Sequence, residues 1–131
     1  MRVETLKLVQ GIEHTAIASR DIAALAAWYV GTLGFTINYQ SANAIFVKAP
    51  NGTMIEFIHA DSDRGGQTLK TQGIRHLALT VTAFEDAVAT LRAKNVNFVS
   101  EPSESKGNKI VFFTDPEGNY LHLLQRATPL A

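Results

Sequence analysis

The chain has 131 residues, of which 46% are hydrophobic and 18% charged, a composition typical of one ordinary globular domain. Its 12 basic residues balance 12 acidic ones, and a net charge of zero argues against a nucleic-acid-binding protein and against attraction to an anionic membrane surface. Cysteine is absent, which excludes disulfides, cysteine-bound metals and a thiol nucleophile. Any metal ion must therefore be bound by histidine and carboxylate.

The amino-terminal residues do not resemble a signal peptide, because they lack a central apolar segment. The longest apolar run, from Ile22 to Val30, is too short to span a bilayer. We therefore expect a soluble, cytoplasmic protein.

The sequence contains an internal duplication. GIEHTAIAS at 11–19 resembles GIRHLALTV at 73–81, and the histidines of the two segments, His14 and His76, lie 62 residues apart. Each segment alternates in a way that predicts a β-strand.

A helix is predicted after each of these strands, from apolar residues at helical spacing. The first helix is expected to begin at Ile22, after a cap at Ser19 or Asp21, and to end at Gly34. The second is expected to follow Thr82.

Three short strands, rich in β-branched and aromatic residues, are predicted after each helix. They cover residues 35–39, 44–48 and 53–59 in the first copy and 97–100, 109–114 and 119–125 in the second. Each copy is thus a βαβββ module, the first at 9–60 and the second at 73–127, within a single domain over 1–131. The polar stretch 61–72 is expected to be a linker. Because one module alone leaves a face of its sheet uncovered, two should associate, within the chain or across a dimer.

Four polar side chains recur at equivalent positions on these apolar strands. His14 and His76 lie on the first strand of each module, and Glu56 and His122 lie on the last. Small residues flank both first-strand histidines, which favours a cavity beside each imidazole. Three imidazoles and one carboxylate are typical ligands of a divalent transition metal ion such as Fe, Mn, Ni, Co or Zn.

Other residues are assigned outside this candidate site. His59 lies an odd number of residues from Glu56, and its repeat equivalent is Gln125, so it is expected at the surface or in support of the ligands. Four aromatic residues are expected to pack in the core, although they could line a pocket: Trp28, Tyr39, Phe46 and Phe113.

The sequence resembles the vicinal oxygen chelate superfamily, also called the glyoxalase, bleomycin resistance and ring-cleaving dioxygenase superfamily. The resemblance covers nearly the whole chain, and these segments carry it: GIEHTAIAS at 11–19, WYVGTLGF at 28–35, GIRHLALTV at 73–81 and FFTDPEGNYLHLLQ at 112–125. It implies an α+β fold in which two βαβββ modules form a half-open barrel around a metal ion that chelates two neighbouring substrate oxygens, usually in a homodimer. It also implies metal ligands at His14, Glu56, His76 and His122.

The last of these ligands departs from the family pattern. Glyoxalase I and many relatives have glutamate where this chain has His122. One Glu and three neutral His leave a net charge of +1 around a divalent ion, which favours a lower pKa of bound water or an anionic, enolate-like oxygen. The change also removes a carboxylate that glyoxalase I uses as a base, which argues against isomerisation of a glutathione hemithioacetal.

Three functions follow from the resemblance. The first is a metal-dependent lyase or isomerase that acts on a small α-oxygenated carbonyl compound through a metal-stabilised enediolate, with Glu56 as general base. The second is an iron-dependent dioxygenase, because ring-cleaving relatives bind iron through two His and one Glu. The third is a non-catalytic protein that sequesters a drug or toxin, although a binding pocket alone has no need of the four ligands. A thiol-transferring resistance enzyme is less favoured, because such relatives commonly use fewer protein ligands.

Overall fold

The structure of the protein, a computed structural model, describes residues 8–130. The chain divides into two units, one ending at Ala60 and the other beginning at Asp61. The first unit contains β1 (His14–Ser19), α1 (Ile22–Leu33), β2 (Thr36–Gln40), β3 (Ala44–Lys48) and β4 (Met54–His59). The second contains β5 (His76–Thr80), α2 (Phe84–Ala93), β6 (Asn97–Phe98), β7 (Ser103–Ser105), β8 (Asn108–Thr114) and β9 (Tyr120–Gln125). No helix in residues 8–130 is long and apolar enough to cross a bilayer.

Helix α1 begins and ends where the sequence predicts. Of the two candidate caps, Asp21 is the one used: its Oδ1 accepts a hydrogen bond from Ala24 N at 3.0 Å. Ser19 supports the cap, because its Oγ accepts from Asp21 N at 3.0 Å. Gly34 ends the helix in the left-handed conformation, with φ of 84°, which glycine adopts without steric cost.

The first sheet has the strand order β1-β4-β3-β2, in which β1 and β4 are parallel and the other neighbours antiparallel. Helix α1 covers one face, where Tyr29 is fully buried with its ring centroid 5.0 Å from that of Phe57. Successive strand residues point to opposite faces. The side chains of His14 and Glu56 therefore lie on the face away from the helix, as the alternation of buried and accessible residues along both strands shows.

The second sheet repeats this topology with the order β5-β9-β8-β6, and β5 is parallel to β9. It also has one strand that the sequence did not predict, β7, which pairs with β8 through a two-residue hairpin. Lys106 and Gly107 form its turn with φ of 55° and 80°, the backbone of a tight hairpin. The strand was missed because Ser103, Glu104 and Ser105 are polar and exposed, and only pairing with β8 makes them extended.

Helix α2 begins without the local cap seen in α1. Thr82 precedes the helix but the cap position is Ala83, whose side chain makes no capping bond. The first turn is instead satisfied from β9, where Gln125 Oε1 accepts from Phe84 N at 2.7 Å. Gln125 is the repeat equivalent of His59, so the two copies use this position differently.

The stretch 61–72, predicted as a linker, belongs to the second unit and is tied to the β8–β9 turn. Arg64 Nη2 donates to the carbonyl oxygen of Glu117 at 3.2 Å and to Asn119 Oδ1 at 2.7 Å. The turn itself is built on the buried Asp115, whose carboxylate accepts from the backbone N–H groups of Glu117 and Asn119 and from Asn119 Nδ2.

Candidate metal centre

The first donor pair consists of His14 and Glu56. Strand β1 pairs with β4 in the register Ala16 to Glu56, so His14 lies one step away along the same face. His14 Nε2 is 3.4 Å from Glu56 Oε1, and Glu56 is half-buried. Nitrogen and oxygen ligands that bind one tetrahedral ion at about 2.0–2.2 Å are themselves roughly 3.4 Å apart. The spacing of the first donor pair therefore fits two ligands of one transition metal ion.

The second donor pair consists of His76 and His122, in the equivalent register: Ala78 faces His122 as Ala16 faces Glu56. The two imidazole centroids lie 4.5 Å apart. His122 is buried whereas His76 is exposed, so the imidazole of His122 is covered by its neighbours and that of His76 is accessible to solvent.

His122 has the chemistry of an unused ligand. Its Nδ1 is buried and has no hydrogen-bond partner among residues 8–130. Burial lowers the pKa of His122, and the neighbouring His76 and Arg126 lower it further. A neutral imidazole with an unpartnered nitrogen is the form that binds a metal ion, and an orphaned buried nitrogen is otherwise a cost to the fold.

One phenylalanine supports each donor pair from the neighbouring strand. Phe46 on β3 lies 5.2 Å from His14, ring centroid to centroid, and Phe112 on β8 lies 5.2 Å from His76; both contacts are edge-to-face. Phe112 also lies 4.8 Å from His122. These contacts limit the rotation of the imidazoles. Support of the imidazoles by these two phenylalanines was not predicted from the sequence, although they hold equivalent positions in the repeat.

The predictions for residues outside the donor pairs are correct for some residues and wrong for others. His59 is exposed at the end of β4, where its Nε2 donates to the carbonyl oxygen of Ala42 at 2.9 Å, which agrees with its predicted surface position. Phe113 is fully buried in the core, as predicted. The core prediction is wrong for Tyr39, which is 56% exposed because β2 is the edge strand of its sheet.

The donors come as these two pairs, one in each unit. Within residues 8–130, no group of three or more His, Cys, Asp or Glu side chains is arranged to hold a metal ion. A transition metal site in a protein takes about four ligands, so each donor pair is an incomplete set.

Comparison with known proteins identifies the family of the chain. The family model of the Glyoxalase/Bleomycin resistance protein/Dioxygenase superfamily matches residues 11–123. Among curated proteins, the uncharacterized protein YwkD of Bacillus subtilis is 28% identical, in an alignment that covers 91% of this chain and 99% of that protein. The uncharacterized protein YaeR of Escherichia coli is 30% identical, in an alignment that covers 88% of this chain and 95% of that protein.

Solved structures show the same fold. A glyoxalase/dioxygenase from Nostoc punctiforme is similar with a TM-score of 0.80 at 17% identity, over 98% of this chain and 99% of that one. Lactoylglutathione lyase from Agrobacterium tumefaciens is similar with a TM-score of 0.71 at 18% identity, over 91% of this chain and 96% of that one. The α+β fold predicted from the repeat is confirmed, and the chain belongs to the glyoxalase/bleomycin resistance protein/dioxygenase superfamily.

Proposed function

We propose that the protein is a metal-dependent lyase or isomerase that acts on a small α-oxygenated carbonyl compound, with His14, Glu56, His76 and His122 as its metal ligands. The observation that carries this proposal is the repeated register: in both sheets, the same two strand positions hold metal-donor side chains that meet. Members of the superfamily generally bind a divalent metal ion, which supports the assignment.

The donor set suits Zn, Ni, Co, Fe or Mn, because imidazole and carboxylate bind all of these ions. Each donor pair supplies two of the about four ligands that such an ion takes, so the set is completed by a second pair, from the same chain or from the partner chain of a dimer. When bound, the ion would act as a Lewis acid toward two neighbouring oxygens of the substrate and stabilise the negative charge that develops there.

Glu56 is assigned as the general base, which accepts the proton from the substrate carbon beside the carbonyl group. Its carboxylate is half-buried on the face of the first sheet away from α1, and a carboxylate can accept a proton from the carbon beside a carbonyl group. His122 is not assigned this step, because its lowered pKa makes it a weaker base and favours the neutral form that binds a metal ion. Phe46 and Phe112 hold the imidazoles in place while Glu56 accepts the proton.

Elemental analysis of the purified protein tests the metal assignment. We expect about one transition metal ion per chain in the wild type, and a lower metal content or none in His76→Ala and His122→Ala. His59→Ala is the matched control, since it removes an exposed imidazole that is already hydrogen-bonded to Ala42, and it should keep the metal. A wild-type protein that is metal-free, and that takes up none of the five ions on reconstitution, would leave the drug- or toxin-sequestering function.

Proton exchange tests the reaction. In deuterium oxide, the carbon beside the carbonyl group of a substrate should exchange its hydrogen, and Glu56→Gln should abolish the exchange. Exchange that is unchanged in Glu56→Gln would remove Glu56 from the role of base. The second candidate is an iron-dependent dioxygenase, because the four residues include the two imidazoles and one carboxylate that such iron sites use. It would show bound iron together with oxygen uptake on catechols or enediols.

We also propose a cytoplasmic homodimer that binds a small molecule, with no nucleic-acid or membrane partner. Family membership supports the dimer, and the balance of 12 basic and 12 acidic residues supports the absence of polyanionic partners. Light scattering coupled to size-exclusion chromatography gives the oligomeric state, and a monomeric mass would contradict the proposal.

A further inference from the structure

We propose that Glu13 is the positioning residue of His14, holding the imidazole proton on Nδ1 so that Nε2 is left bare for the metal ion. The inference rests on the proposed function, because it assigns Glu13 a role toward the ion that His14 would bind. Glu13 immediately precedes β1, and its Oε1 lies 2.9 Å from His14 Nδ1. Since an ionised carboxylate can only accept, the hydrogen of this bond belongs to Nδ1.

The opposite side of the ring faces a second carboxylate. His14 Nε2 is 3.4 Å from Glu56 Oε1, longer than the roughly 2.7–3.2 Å of a good N–H···O hydrogen bond. A neutral imidazole has a single ring proton, so the two carboxylates compete for it. Glu13 makes the shorter contact, and Nε2 therefore directs a lone pair toward Glu56. A lone pair and a carboxylate oxygen that face each other form a site for a cation.

The other copy of the repeat lacks this device. The equivalent of Glu13 is Arg75, which cannot accept a proton from His76. Arg75 Nη1 donates instead to Gln67 Oε1 and, at 3.5 Å, to the carbonyl oxygen of Thr68, so it secures the chain before β5. In the second donor pair, within the described part of the chain, the ring of His76 is held by its contacts with the rings of Phe112 and His122. The carboxylate is thus a specific feature of the first donor pair.

Substitution of Glu13 should leave the fold intact. Its side chain is 73% exposed, and its part in the sheet is a backbone one, because its carbonyl oxygen accepts from Met54 N at 3.2 Å. Carboxylates that hold the second nitrogen of a metal-binding histidine commonly change metal affinity by about 10- to 100-fold when removed. We expect a loss of this size for Glu13→Ala and a smaller one for Glu13→Gln, whose amide oxygen still accepts.

The test reads the tautomer of His14 directly by two-bond proton–nitrogen correlation NMR of ¹⁵N-labelled, metal-free protein at about pH 8, above the ordinary pKa of a free imidazole. The wild type and Glu13→Gln should carry the proton on Nδ1. In Glu13→Ala, Glu56 is the one carboxylate among residues 8–130 that remains beside the ring, so the proton should move to Nε2. The signals of His59 and His76 should not change and serve as internal controls.

Zn²⁺ titration of the same three proteins gives the second readout. A ring proton on Nε2 in the wild type, or an unchanged His14 tautomer in Glu13→Ala, would overturn the inference. In a wild type that binds Zn²⁺, an equal affinity in Glu13→Ala would do so as well. A proton on Nδ1 in a wild type that binds no Zn²⁺ would confirm the hold of Glu13 on the ring and overturn only the proposed function. This outcome separates the two failures.

Discussion

Replacement of His122 by leucine should leave the metal-free protein about as stable as the wild type and abolish its stabilisation by metal. His122 is 9% exposed, and its Nδ1 is buried without a partner among the described residues. A buried polar atom without a hydrogen bond costs about 1–3 kcal/mol, and leucine, of similar volume, removes that cost. Against this, the variant loses ring contacts with His76 and Phe112, each worth about 0.5–1.5 kcal/mol at most.

Taken at their limits, these terms place the metal-free variant between about 2 kcal/mol less stable and about 2 kcal/mol more stable than the wild type, with no change at the centre. Saturating metal separates the two proteins, because a ligand at 100 times its dissociation constant stabilises the wild type by about 2.7 kcal/mol. The variant, with an incomplete ligand set, should gain little. The free energy of unfolding should therefore differ more between the two proteins with metal than without it.

Urea unfolding of both proteins, with a chelator and with Zn²⁺, measures the free energy of unfolding in each condition. His59→Leu is the control, because it removes an exposed imidazole and should keep the full increment from metal. A metal-free His122→Leu protein less stable than the wild type by more than about 2 kcal/mol would refute the argument that Nδ1 is unsatisfied. An undiminished gain from Zn²⁺ in His122→Leu would refute its assignment as a ligand.

Two further predictions concern pH and the second helix. Because folding lowers the pKa of His122, the unfolded chain takes up a proton below about pH 6.5 that the folded chain does not. The stability of the metal-free protein should then fall with decreasing pH, by at most about 1.4 kcal/mol per pH unit from this group, and an identical slope in His122→Leu would contradict this origin. Gln125→Ala should cost about 1 kcal/mol in urea unfolding, since it removes the acceptor of the Phe84 N–H, and Ala83→Ser should restore most of it by a local cap; an unchanged stability in Gln125→Ala would show that the cap contributes nothing.

Much of this protein could be predicted from local patterns. The duplication at His14 and His76 sets two copies of one module, and the period-2 alternation of each strand decides which side chains share a face. The caps of α1 could be identified because Asp21 and Gly34 act on their own neighbours in the chain. The equivalence of Glu56 and His122, predicted from the repeat alone, holds in the strand register of both sheets.

Tertiary structure decided what depends on contacts between distant segments or on the rotation of side chains. The β7 strand exists only because β8 pairs with it, and α2 is capped by Gln125, 41 residues beyond its first residue. The carboxylate of Glu13 lies beside the ring of His14 through side-chain rotation, which no spacing encodes. The orphaned nitrogen of His122 likewise depends on the burial of its strand among neighbours distant in the chain. Sequence periodicity specifies the face on which a side chain lies, whereas its partners there follow from packing.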